Sequence, residues 1–165
     1  MKKFSLIFIV LLFISCTAEV NENNQMTQKM EFSTKNFIGS TIAFEDNKGI
    51  VSLGVSKEDL ISAFNIYSQK NELGITTKSF EIFNLDSKNY IRFYNDDESV
   101  STIALIKNDM QSKKVATTIY SLGSTVCTST ECANCCGCIP NGAYCTRCEI
   151  RLTDCKRTTT GGSNQ

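Results

Sequence analysis

The chain has 165 residues, 17 basic and 17 acidic, with nine cysteines, one proline and neither histidine nor tryptophan. Lacking histidine, it has no Ser-His-Asp triad, Cys–His dyad, HExxH zinc site or mixed Cys/His metal site. Balanced charge without a basic tract speaks against a nucleic-acid partner, and the length suits one ordinary domain with appendages.

Residues 1–16 read MKKFSLIFIVLLFISC. Two lysines precede an apolar run from Phe4 to Ile14, and Ser15 and Cys16 close it. This is the charged, apolar and small-residue order of an export signal. As a helix the run is roughly 16 Å long, too short to span ~30 Å of hydrocarbon as a retained membrane helix. Its end, FISC, resembles the lipobox of bacterial lipoproteins, a resemblance confined to residues 1–16. That resemblance implies cleavage before Cys16, a diacylglycerol thioether on its sulfur and, as a rule, an acyl chain such as palmitate on its amine. Two or three acyl chains anchor stably, because each buried methylene contributes ~0.8 kcal/mol. Thr17, rather than aspartate, follows the cysteine; by analogy with enteric bacteria this implies the outer membrane. Beyond this covalent lipid no cofactor is expected.

Residues 17–29 are polar without apolar periodicity and read as a flexible tether. FIGSTIAF (37–44) and IVSL (50–53), separated by EDNKG, predict a hairpin. Ser56 with Asp59 three residues on predicts a helix start. Leu60, Phe64 and Tyr67, with Ile61 alongside, then give one apolar face, and Gly74 a stop. Four strand-like runs follow, TKSFEIFNL, YIRFYN, SVSTIALIK and VATTIYSL, divided by DSKN, DDE and NDMQSKK. Such short connections favour an antiparallel meander. The fold expected is therefore α+β, one helix packed on an antiparallel β-meander. Its core candidates are Leu60, Phe64, Ile82, Ile91, Phe93, Ile103, Leu105 and Ile119. STIALIK is apolar on both parities, as a central strand covered on both faces would be.

Eight cysteines then crowd into 29 residues: Cys127, Cys132, Cys135, Cys136, Cys138, Cys145, Cys148 and Cys155. Between Val126 and Leu152 the only other large apolar side chains are Ile139, Tyr144 and Ile150, too few for a core of their own. An even number of cysteines, in an exported chain, fits a small module stapled by four disulfides of ~2–4 kcal/mol each. Eight cysteines allow 105 pairings; a bond between the neighbours Cys135 and Cys136 is disfavoured by strain. Pro140, Asn141 and Gly142 suit a tight turn inside the module.

Other spacings compete. Cys132, Cys135, Cys145 and Cys148 resemble the two knuckles of a short zinc ribbon. Cys127-x4-Cys132-x2-Cys135 resembles the first three ligands of plant-type ferredoxins, but TSTE replaces the expected glycine and the fourth ligand comes too soon. Cys136-Gly137-Cys138, with Cys135, is a soft-ligand group suited to Cu(I). Cys145-Thr-Arg-Cys148 has CxxC spacing, without the preceding strand that a thioredoxin-like unit needs.

Outside the module, Asp96, Asp97 and Glu98 read as solvated turn residues. Tyr90, Arg92 and Tyr94 share one strand face, opposite Ile91 and Phe93, and offer a binding stripe for a protein or glycan. No catalytic residues stand out, and the P-loop, dinucleotide and nucleophile-elbow patterns are absent. The expected organisation is a signal peptide (1–15), a lipidated tether (16–30), an α+β domain (31–122), a cysteine-rich module (123–157) and a disordered tail (158–165). The expected role is that of a lipid-anchored envelope protein, binding rather than catalytic. Soft-metal binding of Zn or Cu(I) by the thiolates, and an envelope hydrolase or redox enzyme, are the alternatives.

Overall fold

The computed structural model describes residues 37–112, 115–135, 137–148 and 153–159. Cys16, the expected signal peptide and tether, and Cys136 lie outside the described residues.

Strands β1 (Thr41–Glu45) and β2 (Val51–Leu53) form the expected hairpin. Its turn is built by Asp46, whose Oδ1 accepts from Lys48 N at 2.8 Å and Ile50 N at 2.9 Å. Helix α1 (Lys57–Lys70) begins where the capping pattern places it, with Asp59 N donating to Ser56 Oγ at 3.0 Å. Four antiparallel strands follow: β3 (Thr77–Leu85), β4 (Lys88–Asn95), β5 (Val100–Ser112) and β6 (Val115–Ser129). Asp86 and Ser87, at φ 50° and 61°, form the two-residue β3–β4 turn; left-handed turns of this kind match the twist of paired strands.

The strands assemble in the order β2-β1-β6-β5-β4-β3. The hairpin β1–β2 thus sits at one edge and β3 at the other. Because α1 joins β2 to β3, it carries the chain from edge to edge and lies over one face. Leu60, Ala63, Phe64 and Tyr67 meet Ile42, Ile91, Phe93, Ile103 and Val126 in the main core. An aromatic cluster is its centre: Phe64 stacks on Phe93 with centroids 4.1 Å apart, and Phe37 packs 5.7 Å from Phe64 and 5.2 Å from Tyr67.

Several sequence expectations need correction. NDMQS is strand, not loop: β5 and β6 stay paired out to Ser112 and Val115, because backbone hydrogen bonds extend an existing ladder without needing apolar side chains. Among the core candidates, Ile82 is half-buried at the core's margin, and Ile119 is half-buried because its neighbour Tyr120 takes the inward place. Strand β5 is not covered on both faces throughout, since Ile106 is 49% exposed. The boundary expected after Leu122 falls inside the continuous strand β6. The tail expected from residue 158 begins inside a further strand, β9 (Lys156–Thr159), which pairs with β6 from Thr125 to Thr128. The cysteine segment therefore leaves from β6 and returns to the same strand.

Phe64→Ala should lower stability by about 3–5 kcal/mol, whereas Ile106→Ala should cost less than about 1 kcal/mol. Urea unfolding of the two variants checks the contrast.

Candidate functional site

Strand alternation sends successive side chains of β6 to opposite faces. Val126 enters the core under α1, while its neighbour Cys127 is buried on the other face among Cys132, Cys138 and Cys148. Three disulfides join six of the seven described cysteines: Cys127–Cys145, Cys132–Cys148 and Cys138–Cys155, with Cα separations of 5.7, 6.0 and 5.8 Å. These lie within the range a disulfide bridges without backbone distortion. Among these six cysteines the first pairs with the fourth, the second with the fifth and the third with the sixth. Each loop overlaps the other two. Cys135 is exposed, its Sγ 3.4 Å from the Cys132 carbonyl oxygen. The pairing expected for Cys136 falls outside the described residues.

Hydrogen bonds complete what apolar packing cannot. Asp154 accepts from Thr130 N and Cys132 N, each at 3.0 Å, clamping the start of the module to its end. Cys138 N donates to Ser129 Oγ at 3.3 Å. Gly137, at φ 59°, packs against the sheet: a Cβ there would lie 3.0 Å from Val100 Cγ2 and 3.5 Å from Arg92 Nη2. Strands β7 (Pro140–Asn141) and β8 (Tyr144–Cys145) form a small hairpin around Gly142, as the turn residues predict. At its tip Tyr144 is 70% exposed. Arg157 holds it there, donating from Nη1 to Ala143 O at 3.0 Å with its guanidinium 5.7 Å from the Tyr144 ring centre.

The stripe Tyr90, Arg92 and Tyr94 does share a strand face, but it is not an open surface. The register runs Glu81, Arg92, Thr102, Cys127 and Arg157 across five strands, placing Arg92 beside the module. Its side chain is 11% exposed. It lies 4.5 Å from the Phe83 ring centre, 3.8 Å from Glu81 Oε1 and 3.4 Å from Thr102 Oγ1. Tyr90 is 4% exposed and stacks on Phe83 at 5.4 Å; Tyr94 alone remains 39% exposed. The correction has a physical cause. A segment too poor in apolar residues to pack on itself packs on the sheet instead, and covers the arginine. Burial raises both tyrosine pKa values, reinforced by the charge of Asp86 at Tyr90 and by a hydrogen bond and charge from Glu81 at Tyr94.

The zinc-ribbon set is likewise divided. Cys132 is bonded to Cys148, Cys145 to Cys127, and Cys135 belongs to neither pair. Cys132, Cys148 and Asp154 do converge, their ligand atoms within 4.8 Å of one another. Two of those atoms are the sulfurs of one disulfide, and the carboxylate serves the Thr130 and Cys132 amides. Asp97 is a turn residue as expected, its Oδ1 accepting from Ser99 N at 3.1 Å and Ser99 Oγ at 2.6 Å.

One site escapes sequence reasoning altogether. A cleft of about 330 Å³ opens where the module meets the end of the core. Thr128, Lys156 and Thr158 floor it, on the α1 side of the sheet. Leu73 and Ile75 form one wall, Asp97 and Ser99 another, and Thr130 and Thr153 of the module a third. Its residues come from four separate stretches of chain, so no local pattern marks it.

Comparison of the chain with protein-family models, with curated proteins and with solved structures finds no match.

Peptide mapping without reductant should recover Cys127–Cys145, Cys132–Cys148 and Cys138–Cys155; a link between Cys145 and Cys148 would contradict this arrangement. The raised tyrosine pKa values make a second expectation. Folding keeps these phenols protonated, so their stabilisation is complete below the ordinary value of 10.0 and is lost as pH rises through the folded values. The urea midpoint should therefore fall on alkaline titration, and fall less in Tyr90→Phe.

Proposed function

We propose that the chain is an exported, lipid-anchored protein of a bacterial cell envelope with a binding rather than catalytic role, and that its stapled module is the rigid element that meets a partner. The observation that carries this reading is the set of three interleaved disulfides. Disulfides persist in oxidising compartments outside the cytosol, which agrees with the export signal expected at residues 1–16. In this reading Cys16 carries the lipid, and residues 17–30 hold the folded part away from an outer membrane.

Preorganisation supports a binding role. Contacts made by an already ordered loop avoid the entropy of ordering it on association. The module ends in an exposed tyrosine pinned by an arginine, residue types that anchor interfaces when held rigidly. A protein or glycan is the partner class such a tip suits. Soft-metal binding is the weaker reading, because six of the eight thiols it would draw on are joined in disulfides.

Cys16→Ala should lose acylation and move the protein from the detergent-extracted membrane fraction to the soluble fraction. A variant that stays fully membrane-attached would refute the lipid anchor.

A further inference from the structure

We propose that the cleft between the module and the open end of the sheet binds an uncharged saccharide, one sugar ring at a time. This rests on the binding role proposed above, but not on the lipid anchor.

The cleft's size is that of a small-ligand site, whose usual range begins at about 300 Å³. Five of its lining residues carry hydroxyl groups. Thr128 and Thr158 lie on adjacent strands of the floor; Ser99, Thr130 and Thr153 stand around them. A hydroxyl both donates and accepts, so a surface of hydroxyls complements a ligand that does the same. Polyols are that ligand class. Leu73 and Ile75 supply the apolar side that the C–H face of a sugar ring can cover.

Two of these hydroxyls, of Ser99 and Thr128, are held in place before any ligand arrives. Ser99 Oγ donates to Asp97 Oδ1 at 2.6 Å. Asn95 Nδ2 donates to Ser99 Oγ at 2.9 Å and to Ser101 Oγ at 3.0 Å. Ser101 Oγ in turn lies 2.9 Å from Thr128 Oγ1 on the floor. The network thus runs from the Asn95 amide to the hydroxyl on the cleft floor. The wall from the module is fixed independently, by Asp154 on the Thr130 amide.

Charge selects within the polar ligands. Among the described residues, three carboxylates, of Asp97, Glu131 and Asp154, line the cleft against one ammonium, that of Lys156. The excess of negative charge disfavours phosphates, nucleotides and acidic sugars. Lys156 makes no ion pair among the described residues and its ammonium remains a donor for a sugar hydroxyl or ring oxygen.

Saturation-transfer NMR on the full chain, purified without reductant in a detergent that has no sugar headgroup, tests the proposal. The probes are D-glucose, D-galactose, D-mannose and N-acetyl-D-glucosamine at millimolar concentration, with leucine and inorganic phosphate as comparators. At least one sugar should give transfer, and neither comparator should. Thr158→Val, which keeps the side chain's shape, and the exposed Lys156→Gln should each weaken that binding about fivefold, the loss expected for one hydrogen bond. Tyr144→Ala, outside the cleft, should leave it unchanged. The proposal is overturned if no sugar binds, if leucine or phosphate binds instead, if both cleft variants bind as the parent does, or if Tyr144→Ala abolishes binding. Membrane release of Cys16→Ala reads the anchor separately, so either idea can fail alone.

Discussion

Val126 and Cys127 are neighbours in one strand, and they face opposite ways. Most of the molecule's organisation depends on that alternation. One side of β6 completes the core under α1; the other begins a cluster held by sulfur. A strand bonded to β5 along one edge, and to β1 and β9 along the other, cannot shift register without moving both sets of side chains to the wrong face. The sheet thereby lends its rigidity to a segment that has almost none of its own.

That segment is stabilised by covalent and polar means in place of apolar burial. Interleaved pairing ties every part of the module to another part, and the overlap of the three loops restricts the unfolded chain as well as the folded one. The Asp154 clamp and the return of the chain as β9 close the excursion onto the strand it left. Arg92 shows the other side of the same economy. Its guanidinium is hemmed in by Phe83, Glu81, Thr102 and the backbone at Gly137, so the module finds on the sheet a planar, hydrogen-bonding surface to rest against.

The arrangement leaves two surfaces with distinct chemistry. The hairpin tip offers a fixed aromatic and a cation to solvent. On the α1 side of the sheet, where the helix no longer covers the strands, the module supplies the missing wall of a hydroxyl-lined cleft. Both depend on the disulfides holding backbone that would otherwise be free to move, which is the physical link between the cysteine content and a binding role.

Much of this was legible in the linear chain. Ser56 and Asp59 announced the helix start, and the spacing of Leu60, Phe64 and Tyr67 its buried face, because capping and helical periodicity are local properties. Cysteine number and apolar poverty together implied a stapled module, for the same reason that small cores need covalent help. What stayed hidden was long-range. The choice of three pairings among so many, the burial of Arg92 beneath Gly137, 45 residues further along the chain, and the cleft gathered from four stretches all follow from which face of the sheet the module packs on. Residue order sets the alternation of Val126 and Cys127; only the folded sheet decides what each of them meets.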